Sequence, residues 1–141
     1  MNKKADYISL VDSLQPLNFV TKNRRRFIPK FIKRALKCWT SKKFRIANPD
    51  KSYNSGDVHV FLDNSPSRKI NYVGLNNEYL ILSYEHGGKG HHSHILIFKY
   101  FKKNIAKVYS IMQSAKSKEE AVSYLQLIKK LDNIEIGHAE F

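Results

Sequence analysis

Cysteine is almost missing from this sequence. Cys38 stands alone among 141 residues, which excludes an intramolecular disulfide and points to a reducing compartment. Glycine and proline are sparse as well, at six and four residues, so the chain is neither collagen-like nor of low complexity. No apolar run approaches the ~18 residues of a membrane-spanning helix. Near the start, Asp6 and Asp12 interrupt the stretch where a signal peptide would carry its apolar core. A cytoplasmic protein is the expectation. With 42% hydrophobic and 12% aromatic residues, the chain reads as one domain over 1–141, able to bury about two-thirds of the surface its unfolded form exposes.

The most informative absence is local. Between Lys22 and Arg45 there is no acidic residue, while Lys22, Arg24, Arg25, Arg26, Lys30, Lys33, Arg34, Lys37, Lys42, Lys43 and Arg45 are all basic. The net charge is +13, and the rest of the chain is close to balanced, with 14 basic against 12 acidic residues. A field concentrated in this way attracts polyanions: nucleic acid, an acidic protein face or an anionic surface.

The same segment has helical order. Ile28, Phe31, Ile32, Ala35, Leu36 and Trp39 recur at the three-and-four spacing of one helix side, and Lys30, Lys33, Arg34 and Lys37 take the other. Pro29 suits a first helical turn and sets the start near Phe27. The apolar stripe is read as packing on a sheet, which leaves the basic side, with Arg24, Arg25 and Arg26 at its beginning, as the partner-binding surface.

Around this basic helical segment, 1–47, the sequence predicts a short first helix from Lys4 to Leu14. A β-meander over 57–112 and a C-terminal helix and tail over 117–141 follow. The expected strands are Val58 to Asp63, Arg68 to Leu75, Glu78 to His86, His91 to Phe101 and Ile105 to Met112. Short links between them imply antiparallel neighbours. Ser117 and Glu120 have the spacing of a capping box at the start of the last helix. The expected fold is α+β: an antiparallel sheet of about five strands with the basic and C-terminal helices packed on it. Phe31, Ile32, Leu36, Leu80, Leu82, Ile95, Ile97, Leu125 and Ile128 form the expected core.

Chemistry, if any, lies in "SYEHGGKGHHSH", Ser83 to His94. A two-residue turn at Asn76–Asn77 sets Arg68 opposite Glu85, and a four-residue turn over "GGKG" sets Glu85 opposite His92 and Ser83 opposite His94. Arg68, Glu85 and His92 then form a row across three strands, with His94 beside them. A carboxylate and an imidazole exchanging protons, with a guanidinium on the phosphate, suffice for RNA cleavage without metal. The arrangement resembles the sites of small microbial ribonucleases in kind of site, without a shared motif. His92, His94 and Glu85 also make a two-histidine, one-carboxylate set. Ordinary strand-end histidines are the commoner case, so no metal and no cofactor are assigned. "GGKG" lacks the spacing of a phosphate-binding loop, and no Ser or Cys has a nucleophile's context. The functional expectation is a small non-enzymatic binding protein for an anionic macromolecule, either an acidic protein, as with immunity or antitoxin proteins, or nucleic acid. A metal-independent endoribonuclease is the alternative.

Overall fold

Leu80, Ile81, Leu82 on one strand and Ile95 to Phe98 on the next are apolar without alternation, the pattern of strands covered on both faces. The computed structural model, which describes residues 3–40, 44–55, 65–88 and 90–130, places them so. Five antiparallel strands form one sheet in sequential order: β1 (Val20–Thr21), β2 (Arg68–Leu75), β3 (Tyr79–His86), β4 (His92–Phe101) and β5 (Asn104–Ile111). Helix α1 (Lys3–Leu14) and helix α3 (Lys118–Lys130) cover one face of the sheet, and helix α2 (Lys30–Trp39) covers the other. The fold is α+β, with helices at both ends of the sequence flanking a meander. The expected strand Val58 to Asp63 lies outside the described residues. The fifth described strand is instead β1, whose two residues pair with Leu75 and Gly74 and are too few to show a period in the sequence.

Two cores result, one on each face. Leu10, Val11 and Leu14 of α1 and Ala121 and Leu125 of α3 meet Tyr72, Ile81, Ile95 and Ile97. Ile32 and Leu36 of α2 meet Ile70, Val73, Leu80, Leu82, Leu96 and Phe98. The expected core residues fall in these clusters, with Phe31 half-buried against Tyr100; the Ile128 side chain lies outside the description. At the start of α3 the Ser117 half of the capping box forms, Ser117 Oγ accepting from the Glu120 N–H at 3.1 Å, while the Glu120 carboxylate accepts from the N–H of Lys116, one residue before the cap, at 2.7 Å.

Helix α2 begins later than its apolar stripe. Arg25–Phe27 make a single 3₁₀ turn, Ile28 is extended at φ −70°, ψ 120°, and Pro29 caps the helix that starts at Lys30. The cause is local: a proline ring disfavours the α region for the residue before it. That break swings Arg24, Arg25 and Arg26 out of line with the helix.

The strand registers also differ from expectation, for three reasons. After Leu75 the chain makes a longer turn than two residues, with Asn76 Oδ1 accepting from the N–H groups of Glu78 and Tyr79 at 2.8 Å each, an Asx turn. This pairs Leu75 with Leu80 and Tyr72 with Ser83. A bulge between Ile70 and Tyr72 then shifts the ladder by one residue, so Arg68 pairs with His86 and Lys69 with Glu85. Between β3 and β4 the loop is one residue longer than "GGKG", and His86 pairs with His92, Glu85 with Ser93 and Tyr84 with His94. Each one-residue change sends a side chain to the other face of the sheet.

Candidate functional site

At the end of the α2 face, the register brings together a row of side chains that differs from the expected one. Arg68, His86 and His92 lie across β2, β3 and β4, and Tyr84 and His94 form the next row inward. Glu85 does not join them. It points to the opposite face, where Tyr53 donates to its carboxylate at 2.7 Å and His91 Nε2 lies 3.8 Å away. The expected Arg68, Glu85 and His92 row is therefore corrected to Arg68, His86 and His92, and the proton-transferring carboxylate is missing from it.

The three histidines are close-packed. The His92 ring centroid is 4.6 Å from that of His94 and 5.2 Å from that of His86. One ring nitrogen from each can be chosen so that all three lie within 4.8 Å of one another. Beneath them Tyr84 stacks on His94 at 5.2 Å, Phe44 packs edge-on against Tyr84, and the Arg68 guanidinium lies 4.4 Å over the Phe44 ring. Phe44 reaches this place because Ala47 pairs with β2, accepting from the Ile70 N–H and donating to the Arg68 carbonyl.

Hydrogen bonding at this cluster is incomplete. His94 is 1% exposed, and neither of its ring nitrogens has a partner; His86 Nδ1 is likewise buried and unbonded. His92 differs, since its Nδ1 contacts the Gly90 carbonyl. A carbonyl only accepts, so Nδ1 is the donor in this contact, and in the neutral ring Nε2 is the nitrogen with the lone pair. The loop that sets this contact depends on glycine twice over. Gly90 has φ +69°, open to glycine at little cost. Gly87 is needed for a different reason, as a Cβ there would sit 2.4 Å from the Asn54 carbonyl oxygen.

Burial lowers the His94 pKa to about 4, and the neighbouring His92, His86 and Arg68 add to the effect; His86 is lowered to about 4 by burial and then by Arg68, His92 and His91. Tyr84, facing His94, is pushed up to about 12 by its burial, against the pull of Arg68. A ring near 6.5 when unfolded and near 4 when folded binds protons more readily in the unfolded chain. Its stability contribution is complete above pH 6.5 and is lost as pH falls toward 4. Urea titrations with chelator present, so that only protons compete for the rings, are expected to show stability dropping between pH 7 and 4, on the order of 3 kcal/mol from His94 alone. In His94→Phe this part of the slope should vanish.

The second constellation is the basic surface. Where Pro29 breaks the chain, Arg24, Arg25, Arg26 and Lys33 converge with Asn48 on a cleft of about 530 Å³. Asn48 Oδ1 accepts from the Arg25 N–H at 2.8 Å and fixes the turn, while Arg24 pairs with Asp50 at 2.6 Å. That guanidinium holds the Asp50 carboxyl below the usual carboxylate range. Arg26 and Lys22 both lie over the Phe27 ring, at 4.9 and 5.1 Å. Lys30, Arg34 and Lys37 are exposed along the outer side of α2, whose Ile32 and Leu36 are fully buried. Of the seven basic residues expected to meet a partner, Arg24, Arg25, Arg26 and Lys33 line the cleft, and Lys30, Arg34 and Lys37 are exposed on α2. The cleft was not foreseen, because it arises from the Pro29 break and the distant Asn48.

No described helix is long and apolar enough to cross a membrane. No protein-family model, curated protein or solved structure matches this chain.

Proposed function

We propose that this is a non-enzymatic binding protein whose basic face engages an anionic macromolecule. The observation that carries the reading is the cleft itself: four cationic side chains line it, and among the described residues one carboxylate, that of Asp50, pairs with them. Like charges brought together without compensation are costly in the free protein, and an anion relieves that cost. Arginine supports the reading further, since its planar fork meets phosphate or carboxylate oxygens in pairs. Metal-independent RNA cleavage has less support, because Glu85 lies on the opposite sheet face from Arg68 and His92.

Fluorescence anisotropy tests this with two labelled probes, a single-stranded RNA and a poly-glutamate peptide. Saturable binding that weakens with salt is expected. For RNA, phosphate contacts from all four cleft side chains give a slope of log K against log salt of roughly −3. A shallower slope with stronger binding to poly-glutamate assigns the surface to acidic proteins. Binding to neither probe, or binding indifferent to salt, contradicts the proposal.

A further inference from the structure

We infer that His86, His92 and His94 form a binding site for a divalent transition-metal ion of the zinc class, independent of the basic cleft. Three observations converge on it. The first is spacing, with one nitrogen from each ring in a set no wider than 4.8 Å. Ligand nitrogens at ~2.0–2.1 Å from zinc are separated by about 3.3 Å in a tetrahedral site, so closing the set requires displacements of about an ångström. The second is the unmet demand of His94, buried to 1% exposure with both ring nitrogens unbonded. Buried polar groups in native proteins are nearly always satisfied, and an unsatisfied one calls for a partner. The third is orientation: the Gly90 carbonyl at His92 Nδ1 is the outer contact that metal-binding histidines use to fix their tautomer and aim the other nitrogen.

The chemistry of the set narrows the ion. Three imidazoles with no carboxylate favour zinc, copper, nickel or cobalt over magnesium or calcium, which prefer oxygen. Three protein ligands leave a coordination position unfilled, and the half-exposed His92 ring places the set at the solvent-facing end of the row. Arg68 stands in the same row, paired with His86. Its positive charge opposes a bare dication and favours an anionic fourth ligand, such as hydroxide or a carboxylate or phosphate oxygen. The strand pattern explains why the site is built here. His92 and His94 alternate onto one face of β4, and the one-residue-longer loop brings His86 to that face instead of Glu85.

The test uses the full chain, stripped with chelator and dialysed, and titrated with Zn2+ alone by calorimetry and with Co2+ by visible absorption. One ion per chain is expected, with a cobalt spectrum of four- or five-coordinate intensity and a melting temperature that rises with Zn2+. His92→Ala, at a half-exposed ring, and His94→Gln should each weaken Zn2+ binding by about 100-fold or more, beyond the loss usual for an outer contact. His91→Ala, which alters the ring beside Tyr53 and Glu85 on the other face, should bind as the native chain does. Absence of saturable binding in the native chain overturns the inference, since that measurement depends on no variant. So does binding that survives both His92→Ala and His94→Gln, or that His91→Ala abolishes.

Discussion

Replacing Phe98 with alanine is expected to lower the free energy of unfolding by about 3–5 kcal/mol, read from the midpoint of a urea titration with an unchanged slope. Phe98 is 0% exposed. It lies on a central strand between Leu80 and Val108, and the Trp39 ring stacks over it at 6.2 Å, nearly parallel. Truncation therefore removes the largest apolar side chain under the C-terminal end of α2 and leaves a void that neighbours on two strands and a helix must fill. Trp39, 43% exposed, is the useful contrast, since part of its area is never taken from water and Trp39→Ala should cost less. A cost under about 1 kcal/mol for Phe98→Ala would mean that α2 is not packed on this face, and the basic surface would lose its scaffold.

That packing was legible from sequence because it rests on repetition. Ile32 and Leu36, one helical turn apart, are both fully buried, and the doubled apolar pattern of β3 and β4 called for cover on both faces. The site was less legible because it rests on single residues. An Asx turn at Asn76, a bulge between Ile70 and Tyr72 and a loop one residue longer than "GGKG" decide which side chains face α2. No periodicity encodes such features. The four strands between Arg68 and Ile111 were placed and β1 was not; the polar row was also missed, since Glu85 was expected where His86 stands. His86 could have been found by asking which face each histidine takes if the loop runs from Gly87 to His91. The arginine cleft was half visible, in the charge of Arg24 to Arg26 and in Pro29, whose effect on Ile28 is a local rule. Its other wall, Asn48, comes from a later segment that no local rule places.

Replacing Arg24, Arg25 and Arg26 together with glutamine is expected to weaken binding of an anionic partner by roughly 100-fold at low salt, and for RNA to flatten the salt slope by about 2, as three phosphate contacts are lost. Stability should change little. All three side chains are exposed, and the Arg24 to Asp50 pair is a surface ion pair, with both side chains about half exposed, of a kind that contributes at most about 1 kcal/mol. Glutamine keeps the length and the hydrogen-bonding capacity, so the loss reports charge at the cleft rather than a collapsed turn.

Binding at the cleft is tested most directly by pairing that variant with a second one of equal charge. Lys99, Lys103 and Lys116 are exposed and lie on β4, in the turn to β5 and ahead of α3, away from the cleft-lining residues in sequence; changing all three to glutamine removes the same charge from the protein. Titrated side by side against the same labelled probe, Arg24→Gln, Arg25→Gln, Arg26→Gln should lose about 100-fold in affinity, and Lys99→Gln, Lys103→Gln, Lys116→Gln should stay within about threefold of the native chain. Equal losses in the two variants would show attraction by net charge alone, and undiminished binding in the arginine variant would place the partner elsewhere on the molecule.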